Sequence, residues 1–176
     1  DNLCSKTENI ELLKKNNIQF NINSISKLTS LPVNSSTGVI HLAALGNVVD
    51  SVARPQTNFQ CNVVETIHLL ELLRETSCKN IIFSSTGGAL MGNSKPPVDE
   101  NSLPTPISPY GASKLACEGY FSAYSKSYGI KSLIFRFGNV YGPNSMHKKG
   151  VINTFIKKAL NNEKITFFGS GDTTRD

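Results

Sequence analysis

Residues 79–86 read KNIIFSST, a short apolar run that ends in three hydroxyl side chains. The run predicts a strand over 81–84. Before it, apolar side chains recur at helical spacing and predict a long helix over 57–76. GVIHL at 38–42 is a second short apolar run and predicts another strand. The order strand, helix, strand is typical of a parallel sheet.

The same alternation continues further along the chain. Ser108 and Pro109 suit the N-cap and first turn of a helix, which is expected to run to about Tyr128. SLIFR at 132–136 predicts a third buried strand. Strands that alternate with helices predict an α/β fold, with a parallel sheet that helices cover on both faces.

The remaining segments are less regular. Helices are predicted over 6–16 and 151–160, and short strands over 18–22 and 165–168. Residues 87–108 are dense in Gly, Pro, Asn and Ser. They predict a long loop, a kind of segment that often carries function.

Composition and charge exclude several classes of protein. The 176 residues are 39% hydrophobic and 18% charged, which suits a folded domain with a core. The formal net charge is +5, but Lys and Arg are scattered, whereas a nucleic-acid surface usually clusters them beside aromatic residues. A modest positive charge also suits a small anionic substrate. Because the basic residues are scattered, we expect no nucleic-acid partner. Because no apolar run reaches the roughly 20 residues of a membrane span, we expect no membrane partner either.

The four cysteines, Cys4, Cys61, Cys78 and Cys117, form no CxxC pair. Their spacing predicts no metal site, and buried free thiols in a reducing cytoplasm are expected instead. The chain opens at Asp1 with neither an initiator Met nor a signal peptide. We therefore expect it to begin inside a longer cytoplasmic protein.

Polar or small side chains follow each of the three predicted strands. They are HLAA at 41–44, Ser84-Ser85-Thr86 and RFGN at 136–139. Because ligands of open parallel sheets bind beyond the carboxyl ends of the strands, these groups are expected to line one crevice.

YGASK at 110–114 places a tyrosine and a lysine four residues apart, on one face of the predicted helix. A free tyrosine has a pKa of about 10, and a neighbouring ammonium would lower that pKa by favouring the phenolate. Tyr110 and Lys114 therefore make a candidate general base that removes a hydroxyl proton during hydride transfer. The same spacing fits an amphipathic surface pair, and Ser84-Ser85-Thr86 alone fits a turn. The ordered combination favours a catalytic site.

These motifs resemble those of the extended short-chain dehydrogenase/reductase family, and within it the UDP-glucose 4-epimerases and related nucleotide-sugar enzymes. The resemblance spans the chain at family-like spacing. The matching segments are DNLC at 1–4, VIHLAA at 39–44, Asn62, FSSTGG at 83–88, SPYGASK at 108–114, RFGNVYGP at 136–143 and FGSGDTTRD at 168–176. The resemblance implies a Rossmann-like doubly wound parallel sheet that binds NAD.

The resemblance also implies a role for each matching residue. Catalysis would rest on Thr86, Tyr110 and Lys114, with Ser85 as the alternative to Thr86. Asp1 would bind the adenosine ribose. The other implied cofactor-binding residues are Asn2, Leu42, Ala43, Ala44, Asn62, Ser84, Tyr110 and Lys114. The implied substrate-binding residues are Ser85, Thr86, Asn139 and, on the diphosphate, Arg175.

The chain departs from the family pattern in several places. The first strand and its Gly-x-x-Gly-x-x-Gly turn would lie before Asp1, so the chain alone is expected to bind NAD weakly. Ser24 stands where an Asp usually meets the adenine. Gly46 stands where many 4-epimerases have a lysine, and Leu90-Met91-Gly92 where Val-Tyr-Gly is usual, which leaves the sugar open.

The function implied is that of a nucleotide-sugar 4-epimerase acting through a transient 4-keto sugar. The alternatives are a dehydratase, decarboxylase or reductase of the same family, or an inactive fragment of such an enzyme. A dehydratase usually carries Asp-Glu after the catalytic Thr, where this chain has Gly87-Gly88. Residues 1–142 would form a partial NAD-binding domain, and 143–176 the start of a truncated substrate-binding domain. The expected partners are a nucleotide sugar, foremost a UDP-sugar, and a second copy of the parent protein in a homodimer.

Overall fold

The computed structural model describes residues 7–142, 145, 150–166 and 169–170. In chain order its helices are α1 (Thr7–Lys15), α2 (Val48–Ala53), α3 (Pro55–Phe59), α4 (Glu65–Arg74), α5 (Gly88–Met91), α6 (Pro109–Tyr128) and α7 (Val151–Leu160). Its strands are β1 (Val39–His41), β2 (Asn80–Thr86) and β3 (Lys131–Phe137). The chain divides into two compact units, one of them Ile22–Phe137 and the other made of the segments on either side, up to Asn21 and from Gly138.

The first unit holds a three-stranded sheet in the order β1-β2-β3, with both pairs of strands parallel. Val39 lies opposite Ile81, and Ser85 lies opposite Arg136. The predicted parallel sheet is confirmed, and β2 and β3 are each longer than the sequence pattern indicated. All three carboxyl ends therefore lie along one edge of the sheet.

Helices α4 and α6 cover one face of this sheet and form the core with it. Leu70, Leu73, Phe121 and Ile130 are completely buried in this cluster. The ring of Phe83 in β2 lies 4.7 Å, centroid to centroid, from that of Phe121 in α6. Aromatic contacts at this distance add to the free energy of apolar burial and fix how helix and sheet meet.

The opposite face of the described sheet is open. The side chains of Ile40, Leu133, Phe135 and Phe137 are between 41% and 64% exposed. Alternation along β3 places Leu133, Phe135 and Phe137 on the face away from α6. The prediction that helices cover both faces is therefore confirmed for one face only of the described sheet.

The helix predicted over 57–76 begins earlier and contains an irregularity. Pro55 starts α3, as its fixed φ allows at a first helical position. Between α3 and α4 the chain makes a π-helical turn over Gln60–Val64. Such turns add a residue to a helix and occur often at functional sites. The apolar spacing gave no sign of it, because the pattern remains helical on both sides.

Two other sequence predictions need correction. Residues 18–22 are not a strand, because alternation yields a strand only beside a partner, and no described residue pairs with them. The long loop over 87–108 contains the short helix α5. In the strand predicted over 165–168, residues 165 and 166 are irregular, and 167 and 168 lie outside the described residues.

The second unit contains α1 and α7, both close to their predicted bounds. Asn153 in α7 is buried and donates from Nδ2 to the Ser145 carbonyl oxygen at 2.8 Å. Lys157 and Lys158 occupy the last turn of α7, where the helix dipole favours positive charge. The predicted domain boundary at residue 142 stays a prediction.

Helix α6 begins and ends as its sequence predicts. The Ser108 hydroxyl accepts the Gly111 N–H at 3.1 Å, and Gly129 ends the helix with φ of 70°. Gly111 is itself required by packing, because a Cβ there would overlap the carbonyl oxygen of Ala89 in α5. The glycine after Tyr110 therefore allows α5 to pack against the first turn of α6.

Gly111→Ala should lower the free energy of unfolding by about 1–3 kcal/mol, because the added methyl overpacks this contact. Gly119→Ala is the matched control in the same helix, where a Cβ meets nothing within 4 Å. The control should stabilise the protein by about 0.5–1 kcal/mol through helix propensity. Urea unfolding of both variants, made in the protein expressed from its complete gene, measures the difference. Equal effects would contradict the packing argument.

Candidate active site

The lysine of the YGASK motif is buried at the carboxyl edge of the sheet. Lys114 is 3% exposed, and its Nζ donates to the Ser84 carbonyl oxygen at 2.7 Å. The same nitrogen lies 4.5 Å from the centroid of the Phe83 ring, a cation–π contact. Helix α6 thus holds the ammonium group of Lys114 against the end of β2.

Burial changes the pKa of Lys114. It lowers the pKa of the ammonium to about 8, from an ordinary value of 10.5. The group still carries its charge at neutral pH, but folding favours its neutral form. The protonated lysine therefore lowers the stability of the protein below pH 8, and this cost disappears as the pH rises towards 10.5.

Tyr110 lies one helical turn before Lys114, with its hydroxyl beside Thr86. Burial raises the pKa of the phenol, whereas a hydrogen bond with the Thr86 side chain lowers it. Thr86 is thus a donor that favours the tyrosinate. The sequence pattern assigned this role to Lys114 and led us to expect a lowered pKa. In the structure burial prevails and the pKa of Tyr110 is raised, with Thr86 rather than Lys114 as the neighbour that opposes the rise. A Cβ at Gly46 would lie 4.0 Å from the Tyr110 hydroxyl, so the loop after β1 passes beside it.

Backbone contacts hold the first turn of α6 in place. The Tyr110 N–H donates to the Ser51 hydroxyl at 3.1 Å, and the Ser113 hydroxyl donates to the Tyr110 carbonyl at 2.8 Å. Ser51 in turn donates to the Val48 carbonyl at 2.6 Å. Helix α2 is therefore fixed to the residue that carries the candidate base.

The π-helical turn presents Asn62 to the loop after β1. Its Oδ1 accepts the Leu45 N–H at 2.8 Å, and its Nδ2 donates to the Leu45 carbonyl at 3.2 Å and to the Ser113 hydroxyl at 3.0 Å. Asn58 adds a bond from its Nδ2 to the same carbonyl at 3.1 Å. Asn62 is 2% exposed, so this amide links the loop after β1 to α6 from within the core.

His41, at the end of β1, is buried and uncharged. Its Nε2 lies 2.9 Å from the Thr66 hydroxyl. Burial lowers the pKa of the imidazole to about 4, with a further contribution from the positive charge of Lys114. Because the imidazole is buried, and a charged lysine lies nearby, its neutral form is the one that this edge of the sheet accepts.

Ser85 makes a contact that the sequence did not reveal. Its hydroxyl donates to Glu118 Oε1 in α6 at 2.6 Å, and Arg136 of β3 donates to Glu118 Oε2 at 2.8 Å. Neither Glu118 nor Ser51 was a sequence candidate. The one available signal for Glu118 was its spacing, four residues after Lys114 on the same helical face.

The implied site residues fall into three groups. Thr86, Tyr110, Lys114, Ser84 and Asn62 lie together in the first unit, with Leu42, Ala43 and Ala44 following β1 at the same edge of the sheet. Asn139 follows β3, is exposed and belongs to the second unit. Asp1, Asn2 and Arg175 lie outside the described residues. The roles of all of them stay predictions.

The chemistry of this edge suits a dinucleotide. Lys114 has three N–H donors, of which one reaches Ser84, and the Tyr110 hydroxyl lies at the same edge. Ribose hydroxyls are ligands for such groups, and NAD in open α/β sheets binds beyond the carboxyl ends of the strands. Among the described residues, no three His, Cys, Asp or Glu side chains gather as a metal site would require. No helix in the described part of the chain is long and apolar enough to cross a membrane.

Comparison with known proteins gives one family. The model of the NAD dependent epimerase/dehydratase family matches residues 1–176. A protein of Methanocaldococcus jannaschii, named provisionally as a UDP-glucose 4-epimerase, is 45% identical over 78% of this chain and 46% of its own length. The dTDP-D-glucose 4,6-dehydratase of Dictyostelium discoideum is 34% identical over 78% of this chain and 34% of its own length.

A solved structure agrees over the whole chain. The UDP-N-acetylglucosamine 4-epimerase of Methanobrevibacter ruminantium, in complex with UDP-N-acetylmuramic acid, is 32% identical with a TM-score of 0.91. The match covers 100% of this chain and 58% of that protein. The chain thus spans about half the length of the Methanocaldococcus and Methanobrevibacter proteins, and the Rossmann-like fold class is confirmed.

Lys114→Met should raise the free energy of unfolding at pH 7 by roughly 2 kcal/mol, because it removes the cost of a buried ammonium. The loss of the hydrogen bond to Ser84 offsets part of the gain and is included in that figure. This gain should shrink as the pH rises from 8 towards 10.5, because the folded wild-type lysine is then already neutral while the unfolded one loses its proton only near 10.5. Lys126→Met, at an exposed position of the same helix, should change stability by less than about 0.5 kcal/mol at either pH. Urea unfolding at pH 7 and at pH 10.5 measures all three proteins. A loss of stability in Lys114→Met at pH 7 would contradict this account of the buried charge.

Thr86→Val should raise the pKa of Tyr110, because it removes the hydroxyl that donates to the tyrosinate and keeps the side-chain shape. The ultraviolet absorbance of tyrosinate, followed against pH and corrected with Tyr110→Phe, reports this pKa. A base must be deprotonated to act, so any turnover should shift to higher pH. An unchanged titration of Tyr110 would show that Thr86 does not control it.

Proposed function

Because the chain belongs to the NAD-dependent epimerase/dehydratase family, we propose that it carries the active site of a nucleotide-sugar 4-epimerase that works through a transient 4-keto sugar. Membership confirms the sequence prediction of an NAD-dependent enzyme of this family. The observation that supports the finer proposal is that the Tyr110 and Thr86 side chains meet at the end of β2, where Lys114 is buried against the Ser84 carbonyl.

Tyr110 serves as the general base in this scheme. Its phenolate oxygen takes the proton of the sugar 4-hydroxyl, and Thr86 donates a hydrogen bond at the same point. Bound NAD would supply the hydride acceptor for C4 and the hydride donor for its return to the opposite face of the sugar. Tyr110 then gives its proton back to the 4-oxygen, so atoms and charge balance over the cycle.

Lys114 contributes charge and orientation. Its ammonium favours negative charge on a neighbouring phenolate, and its N–H groups suit the ribose next to the nicotinamide. The bond to the Ser84 carbonyl holds the nitrogen at the end of β2, where both tasks are possible. A fixed ammonium needs little reorganisation when charge develops on Tyr110.

The rival chemistries differ in what they need beside Thr86. A dehydratase must remove a second proton and expel a hydroxide, which requires further acid and base groups. Gly87 and Gly88 follow Thr86 and offer no side chain for that purpose. This favours the epimerase over a dehydratase. A reductase or a decarboxylase is distinguished from the epimerase by the product that it forms.

The proposed substrate is a UDP-sugar. Relatives named as UDP-sugar 4-epimerases, and the solved epimerase with a bound UDP-sugar, support this choice. Product analysis with a panel of UDP- and dTDP-sugars, using the protein expressed from its complete gene, tests it. Interconversion of 4-epimers with no net NADH supports the proposal, and a 4-keto-6-deoxy product would assign a dehydratase instead.

Three accompanying predictions concern the whole protein. They are a homodimer, a cytoplasmic location, and a substrate-binding domain that begins near residue 143. Light scattering of the purified protein checks the homodimer. If the protein bound no NAD and left every sugar of the panel unchanged, the alternative of an inactive fragment would replace the proposed enzyme.

Tyr110→Phe should lower turnover by about 10²–10⁴-fold, because only the phenolic oxygen acts as the base and the ring is retained. Tyr120→Phe, at an exposed position of the same helix, is the control and should keep turnover within about twofold. Steady-state rates, with NAD affinity measured by calorimetry, separate loss of chemistry from loss of binding. Full activity in Tyr110→Phe would remove it from the mechanism.

A further inference from the structure

We propose that Glu118 is a positioning residue: it clamps Ser85 in β2 and thereby fixes the hydroxyl of Thr86 at the active site. The inference rests on the proposed function, because it concerns the geometry of that reaction. Glu118 contacts Ser85 and Arg136 and is proposed to act through them.

The carboxylate of Glu118 joins three elements of the fold. It accepts the Ser85 hydroxyl at 2.6 Å from β2. It also accepts two N–H groups of Arg136 from β3, Nε at 3.2 Å and a terminal nitrogen at 2.8 Å. Ser85 and Arg136 are register partners across the two strands, so one carboxylate of α6 bridges a matched pair in the sheet.

Ser85 lies between Ser84, whose carbonyl accepts Lys114, and Thr86, whose side chain meets Tyr110. The Ser84 carbonyl that accepts Lys114 belongs to the peptide bond that ends at Ser85. The next peptide bond leads from Ser85 to Thr86. Because peptide bonds are planar, fixing the backbone of one residue restricts the groups on both sides of it.

The group formed by Glu118, Ser85 and Arg136, called the clamp below, is mostly shielded from water. The Glu118 side chain is 10% exposed and that of Arg136 is 24% exposed. Charge-assisted hydrogen bonds in such surroundings are short and directional, so they set geometry more strictly than an exposed pair does. Arg136 further donates to the carbonyl oxygen of Glu100 at 3.3 Å, which ties the loop before α6 to the same point.

Proximity makes this geometry matter to the rate. A displacement of about 1 Å in a group that positions a substrate can cost on the order of 10²-fold in turnover. If Ser85 loses its anchor, the Thr86 hydroxyl no longer meets Tyr110 at a fixed place. The substrate's binding contacts would persist, so kcat should fall while KM changes little.

The test is a double-mutant cycle between Glu118→Gln and Thr86→Val in the protein expressed from its complete gene. Alone, Glu118→Gln should lower kcat by about 10-fold to 100-fold. In the Thr86→Val background it should lower kcat by about twofold or less, because the group it positions is already gone. A residue that supports only the fold would cause equal losses in both backgrounds.

Glu71→Gln is a closely matched control. Glu71 in α4 also binds an arginine and a hydroxyl, accepting Arg74 at 2.8 Å and the Tyr124 hydroxyl at 2.5 Å. Its loss should leave kcat within about twofold in either background, since its partners Arg74 and Tyr124 are not among the proposed site residues and the ion pair is about 40% exposed.

Ser85→Ala keeps the test decisive if Glu118→Gln does not fold, because it leaves the ion pair with Arg136 intact. It should lower kcat with KM within about threefold and show the same dependence on Thr86. A raised KM with unchanged kcat would overturn the proposal and make Ser85 a substrate contact. If the wild-type enzyme turns over but the losses of kcat in the mutant cycle are additive, the positioning role of Glu118 is overturned and the proposed function stands. A wild type without epimerase turnover would overturn the proposed function and the clamp with it.

Discussion

A buried positive charge constrains the centre of this fold. Lys114 lies beneath the end of β2 with almost no exposure, so it must be hydrogen-bonded, and the Ser84 carbonyl meets that need. The surroundings adapt to it, since Phe83 offers the face of its ring and His41 stays neutral. The same charge lowers stability and is the one that the proposed mechanism uses. This is the balance expected where catalytic groups are held in a core.

Much of this arrangement follows from local sequence. The cap at Ser108 and the glycine at 129 set the bounds of α6, so residue spacing alone predicted that Tyr110 and Lys114 share one helical face. Short apolar runs located the three strands, and their parallel order placed Ser84 and Thr86 at the carboxyl edge. These features depend on residues within about one or two helical turns of each other, which is the range over which pattern and propensity act.

The supporting contacts could not be predicted in the same way. Glu118 and Ser85 are 33 residues apart, and Asn62 and Ser113 are 51 apart. A glutamate in an amphipathic helix has the pattern of an ordinary solvated charge until the packing of α6 against β2 and β3 is known. Likewise, nothing in the spacing of residues 57–76 reveals a π-helical turn. Tertiary packing decides which polar side chains meet, and single-sequence patterns carry no record of it.

The π-helical turn has a consequence for how the length of this helix can vary between related genes. Each residue of a helix advances it by about 100°, so the extra residue sets the phase between the two halves. With it, Asn62 faces the loop after β1 while Leu70 and Leu73 face the core. Losing one codon from the turn would rotate the leucines away from the core or the amide away from the loop. Insertions and deletions should therefore be rare here, even where individual residues drift freely.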